Sequence, residues 1–278
     1  MPELPEVETV KNTLEKNLAG LTLTGVDIEM PKIIREPDLA DFTTGVTGKK
    51  INRLGRRGKY LLIHLSGGGV LVVHLRMTGR LVYARPEDPP PRHTHVVFHL
   101  SNGNELRFAD MRQFGRILLA QTRQLDQVKG LKDLGPEPLG PDFSREFLRR
   151  ELKLKRVRLK SLLLDQTFIA GLGNIYADEA LHRSRIHPER IARTLSTREI
   201  ANLYRSIIDV LQEGIANRGT SMRDYVDGDG RAGNYQELLR VYNREGEPCG
   251  YCGTAITRIK VGGRSSYFCA ACQKDTLK

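Results

Sequence analysis

Val7, Val10, Leu14 and Leu18 recur at the spacing of one helix face, with Pro5 near its first turn. They predict a short amphipathic helix from whose start residues 2–4 project. The pattern then changes to alternating or continuous β-branched runs: LTLTGVDIEM from Leu21, YLLIHL from Tyr60, VLVVHLR from Val70, THVVFHL from Thr94 and RILLAQ from Arg116, separated by Gly, Pro and Asn. Such runs predict an antiparallel, sandwich-like domain over residues 1–134. Residues 135–141, GPEPLGP, hold two glycines and three prolines, a composition that neither a helix nor a central strand tolerates, and they read as a linker.

Beyond the linker the period becomes helical. Asp142 or Ser144 caps one helix, and Ser196 with Glu199 forms a capping box for a longer one. Ile200, Leu203, Ile207, Ile208, Leu211 and Ile215 line one face of that helix, and Gly219 stands where it should stop. Residues 220–235 carry three glycines and no apolar period, so they form a long loop, either functional or a plain connector. This places a helical domain at 142–235 and a terminal module at 236–278.

Charge narrows the partners. The 278 residues include 44 Lys and Arg against 33 Asp and Glu, a net charge of +11, with a sequence isoelectric point near 9.6. Nucleic acid is the first partner to consider, although a merely basic protein has the same totals. Seven of the twelve residues from Arg149 to Lys160 are basic; they face an anion or form a solvated helix face. The start, MPELPEVETV, lacks the basic and then apolar character of a signal peptide, and no apolar run reaches the ~20 residues of a membrane span. A cytoplasmic location is expected.

All four cysteines fall in a C-x2-C-x16-C-x2-C pattern at Cys249, Cys252, Cys269 and Cys272. That spacing presents four thiolates to one structural Zn2+ and leaves no open position for catalysis, so the metal should hold a β-hairpin with Gly262, Gly263 and Arg264 at its turn. In GLGNIYADE, from Gly171, two glycines precede a helix start whose N–H groups could meet a phosphate. At the other end, Pro2 follows a removable Met1. Its freed secondary amine could attack an aldehyde-level carbon, beside Glu3 and Glu6, which could move protons at a sugar. PELPE reads equally as a capped helix start with acids complementing the dipole.

PELPEVET, RGKYL from Arg57, HLRMTGR from His74, DMRQFGR from Asp110, GPEPL, LLDQ from Leu163, GLGNIYADE and the four-Cys module with Arg264 occur in the order in which the bacterial formamidopyrimidine-DNA glycosylases carry them. The whole chain resembles that family. The resemblance implies an α+β fold: an N-terminal antiparallel β-sandwich with flanking helices, a helix-two-turn-helix domain, a β-hairpin zinc finger, and DNA in the cleft between domains. It implies base-excision repair by a bifunctional glycosylase and AP lyase acting as a monomer in the bacterial nucleoid, on duplexes with 8-oxoguanine opposite cytosine or with formamidopyrimidines, without a catalytic metal or organic cofactor. The Pro2 amine would form the Schiff base, Glu3 would donate a proton to the opening sugar with Glu6 in support, and β,δ-elimination would nick the strand.

An extruded nucleotide leaves a hole in the stack. By resemblance Met77 fills it, Arg112 bonds the orphaned cytosine and Phe114 wedges beside it, although Met77 and Phe114 alone read as strand core. Lys59 in the catalytic region, His74, Lys160, Asn174 and Arg264 would hold phosphates, and the loop with Ser221, Met222, Arg223 and Tyr225 would cover the extruded base. Two alternatives stand beside this reading: an endonuclease VIII-like enzyme for oxidised pyrimidines, which typically starts PEGPE where this chain has Leu4, and a non-catalytic zinc-ribbon DNA-binding protein. An intact Met1 would make the Pro2 nitrogen an unreactive tertiary amide.

Overall fold

The computed structural model describes residues 1–222 and 224–274. They form two compact units, Met1–Lys132 with Ile215–Gln236, and Asp133–Gly214 with Glu237–Lys278. Among the described residues no helix is long and apolar enough to cross a membrane.

The first unit opens with α1 (Leu4–Leu18), whose Val7, Val10, Leu14 and Leu18 are fully buried as their spacing predicts. Burial of one such side chain stabilises the fold by about 1.5–3 kcal/mol. Two four-stranded antiparallel sheets follow. One runs β1 (Leu23–Ile28), β6 (Thr94–Leu100), β7 (Glu105–Asp110), β5 (Gly79–Ala84), and the other β2 (Ile51–Arg57), β3 (Tyr60–Leu65), β4 (Gly69–His74), β8 (Arg116–Gln121). Val96, Phe98, Leu106 and Phe108 of the first sheet share one apolar cluster with Leu61, Ile63, Leu71 and Val73 of the second and with α1. This is the expected sandwich. A short α2 (Leu39–Val46), capped by Asp38, adds Phe42 and Val46 to that cluster.

The second unit is helical and then β. Of the two candidate caps, Ser144 is the one that caps α3 (Arg145–Leu154), accepting from Phe147 N at 3.0 Å. After α4 (Leu159–Leu163) and α5 (Asn174–Arg183) comes α6 (Thr197–Ala216), opened by the Ser196–Glu199 box. Its buried stripe is Ile200, Leu203, Ile207, Val210 and Leu211; Ile208 and Ile215 are half-buried, so the stripe drifts from the one the sequence suggests. The chain ends in a hairpin of β9 (Ile256–Val261) and β10 (Arg264–Cys269). Gly262 and Gly263, at φ 56° and 76°, make the two-residue turn, a conformation that suits glycine at both places.

Residues 220–235, expected with the helical domain, belong by packing to the first unit. Tyr225 enters the sandwich cluster, and Gly228 N donates to Thr13 Oγ1 of α1 at 2.9 Å.

Candidate functional site

In the first unit Met1 is exposed, while Pro2, Glu3 and Glu6 are buried. Glu3 is the N-cap of α1 and forms a capping box with Glu6, whose Oε2 accepts from Glu3 N at 2.8 Å. The other oxygen, Oε1, accepts from Thr220 N at 2.8 Å. The capped-helix and chemical readings of PELPE are therefore compatible: the cap buries the two carboxylates next to the proline.

The Arg57–Tyr60 pair closes the β2–β3 hairpin around Gly58 (φ 55°) and Lys59, which is buried. Tyr60 pairs across to His74 of β4, and the two rings meet edge to face at 4.5 Å. Arg76 N donates to His74 Nδ1 at 2.9 Å, so the neutral imidazole carries its proton on Nε2. Burial, with Arg76 and Lys59 nearby, pushes the His74 pKa down to about 3.

Met77 and Phe114 are not strand core. They are 43% and 47% exposed, and Arg112 lies between them, its Nη1 3.2 Å from Met77 Sδ and its guanidinium 5.0 Å from the centre of the Phe114 ring. The three side chains come from two turns, one after β4 and one after β7, and no local pattern shows what joins them. The joint is Asp110. Its buried carboxylate accepts from Thr78 Oγ1, from Arg112 N at 3.2 Å and from Gly115 N at 2.7 Å. Gly115 is required by close approach, since a Cβ there would lie 2.4 Å from the Phe108 ring.

In the loop, Ser221 Oγ donates to Tyr225 O at 2.8 Å and accepts from Gly233 N at 2.9 Å, pinching the neck of residues 221–233. Met222 is exposed, and Arg223 lies outside the described residues. Tyr225 departs from its expected role over an extruded base. Its ring is buried, and its Oη lies 3.2 Å from Glu6 O and 3.1 Å from Arg218 O, so it anchors the loop from below. That burial raises its pKa.

In the second unit the polar residues of α5 hold the terminal module. Asn174 Nδ2 donates to Ser265 O at 3.0 Å, and Asp178 accepts from Tyr267 N at 3.1 Å. Glu179 accepts from Arg240, Val241 and Tyr242 N at 2.9, 3.0 and 2.9 Å, and His182 Nε2 lies 3.4 Å from Cys249 Sγ. Lys160 also departs from its expected role. It is fully buried, paired with Asp178 and donating to Asn174 O at 3.2 Å, which keeps its ammonium from an anion in solvent. Arg264 is exposed beside the hairpin turn. None of these α5 contacts is legible in the sequence, where a helix of mixed polarity gives no hint of which polar groups are buried.

The four cysteine sulfurs lie within 4.8 Å of one another. Neighbouring pairs are 3.4–4.0 Å apart, against about 3.8 Å for sulfurs at ~2.3 Å from a tetrahedral zinc. All four are free thiols. The donor set fits one structural zinc, and His182 supplies the neighbouring N–H that such a thiolate accepts.

A sandwich with a buried Pro2, a helical unit and a terminal four-Cys hairpin together define a class of two-unit proteins that end in a zinc finger. Three family models match in order: the formamidopyrimidine-DNA glycosylase N-terminal domain over residues 1–117, its H2TH domain over 134–226, and the zinc finger found in FPG and IleRS over 246–274. The formamidopyrimidine-DNA glycosylase of Pelotomaculum thermopropionicum is 66% identical over 274 residues, covering 99% of both chains. A Lactococcus lactis FPG mutant in complex with Fapy-dG containing DNA has a TM-score of 0.93 at 38% identity, covering 99% of this chain and 100% of that one. MutM in complex with carbocyclic 8-oxo-G containing DNA has a TM-score of 0.92 at 39% identity, with the same coverage. The chain belongs to the formamidopyrimidine-DNA glycosylase family.

Proposed function

We propose that this chain removes oxidised purines, 8-oxoguanine opposite cytosine and formamidopyrimidines, from duplex DNA and nicks the strand at the resulting site. The observation that carries the reading is the N-terminus: a proline one exposed residue away from a free amine, set beside two buried carboxylates. Once Met1 is removed, the Pro2 amine attacks the anomeric carbon, and the glycosidic C–N bond breaks as the base leaves with a proton. Glu3 protonates the opening sugar oxygen, and an iminium joins Pro2 to the sugar. Loss of a proton next to the iminium expels the 3′ phosphate, and a second elimination expels the 5′ phosphate. The chain's own groups supply each proton step, and the zinc keeps the hairpin folded.

Met77, Arg112 and Phe114 enter the space left by the extruded nucleotide: an adaptable apolar side chain, a fork of donors for cytosine, and an aromatic wedge. Lys59, His74 through Nε2–H, the start of α5 at Asn174, and Arg264 hold phosphates. Lys160 and Tyr225 support those surfaces from beneath. Ser221 shapes the base-covering loop, and Met222 at its exposed edge faces the base. The enzyme works in the bacterial cytoplasm, on nucleoid DNA.

The test is borohydride trapping on an 8-oxoguanine:cytosine duplex, with Met1 removal checked by mass spectrometry. Processed chain should form a covalent adduct and Met1-retaining chain none; processed chain that neither traps nor cleaves overturns the proposal. Glu3→Gln should bind the lesion duplex normally while excision falls by about 100-fold or more. Full activity in that variant removes Glu3 from the mechanism.

A further inference from the structure

The two oxygens of Glu6 grip two segments that lie far apart in sequence. Oε2 holds Glu3 N, the amide next to the nucleophilic proline, and Oε1 holds Thr220 N, the first residue of the base-covering loop, both at 2.8 Å. The side chain is 1% exposed, and Tyr225, further along the same loop, reaches the Glu6 carbonyl oxygen. Gly219 makes the approach possible: at φ 77° it presents Thr220 N to the carboxylate, and a Cβ there would lie 2.9 Å from both Glu6 Cγ and Oε1.

We infer that Glu6 is a positioning residue that couples the base-covering loop to the nucleophile, so that a base held by the loop sets the attacking amine in place. Amide bonds to a carboxylate are charge-assisted and strongest to its ionised form, so delivering a proton from Glu6 would weaken both of its contacts. A base held by the loop fixes Thr220, and that placement is passed through one carboxylate to the Glu3 amide. The coupling favours sites that still carry a base for the loop to hold over sites that have already lost one.

This inference rests on the reading of Pro2 as nucleophile, and its test separates the two. Single-turnover rates are measured on an 8-oxoguanine:cytosine duplex and on a preformed abasic duplex, for processed wild type, Glu6→Gln, Gly219→Ala and the double variant. Each single variant should lose about tenfold more on the base-bearing duplex than on the abasic one, and the double variant should be no worse than the worse single. Equal losses on both duplexes, or losses that multiply in the double variant, overturn the coupling. Should Gly219→Ala not fold, Glu6→Asp, which keeps the charge and shortens the reach, takes its place, and the base-bearing to abasic ratio of the two Glu6 variants alone decides. A wild-type chain that traps neither duplex sinks the nucleophile reading instead.

Discussion

Both units present exposed side chains on backbone gripped by a buried carboxylate, but the grips have different support. In the first, Asp110 ties two turns at the edge of a sandwich whose apolar cluster runs through both sheets, so Met77, Arg112 and Phe114 project from a frame held by hydrophobic packing. In the second, Arg264 projects from a two-stranded hairpin whose buried cluster is Val241, Cys249, Ile256, Tyr267 and Cys269, two of them metal ligands. Two strands alone are marginal in water. Coordination and the carboxylates of α5 take the place of a core there, so the two surfaces should fail under different insults.

The largest expected difference comes from removing the zinc. A structural zinc contributes of order 10 kcal/mol to folding in isolated fingers, and here the α5 contacts preserve only part of the docking. Treatment with a strong chelator, or Cys249→Ser, should expose the β9 and β10 amides to hydrogen exchange and weaken lesion-duplex binding by about 100-fold or more. The β3, β4 and β8 amides should stay protected. Protection lost equally in both units would show that the sandwich also depends on the metal and erase the contrast.

The converse insult is Asp110→Asn. The amide replaces one acceptor oxygen by a donor that must face Gly115 N, Arg112 N or the Thr78 hydroxyl, and a buried hydrogen bond to a charged group is worth about 1.5–3 kcal/mol. Stability of the first unit should fall by about 2–4 kcal/mol in urea melts, and preference for an abasic-site duplex over undamaged duplex should drop about tenfold. Hairpin amide protection should not change. A variant with normal preference would mean that Met77, Arg112 and Phe114 keep their places without the carboxylate.

What could be read in advance follows from this contrast. The α1 stripe, the sandwich runs, the Ser196–Glu199 box and the four-Cys spacing are local or periodic signals, and all appear in the structure. Strands β2 (INRLGRR) and β7 (ELRFAD) are less visible because charged residues interrupt them: Arg53 is solvent-facing, whereas Arg107 and Asp110 are buried in partnership. The basic run and the family motifs put Lys160 at a surface, and the aperiodic loop and the resemblance put Tyr225 at one. Their burial depends on Asp178, 18 residues away, and on Glu6, 219 residues away, which no local pattern encodes. The Pro2 chemistry was open between cap and nucleophile on physical grounds, since one arrangement serves both.

The smallest expected effect isolates a single group in the sandwich. His74 has a folded-state pKa of about 3 against an ordinary 6.5, because burial and the cations Arg76 and Lys59 disfavour its charged form. As pH falls below 6.5 the unfolded chain takes up a proton that the folded chain refuses. Its contribution to stability is therefore complete above 6.5 and declines steadily toward pH 3. Between pH 7 and pH 5 this one imidazole should reduce stability by about 2 kcal/mol. In His74→Gln, urea melts of the first unit at the two pH values should lie closer together by that amount. An undiminished gap would assign the acid sensitivity of the sandwich to groups other than this histidine.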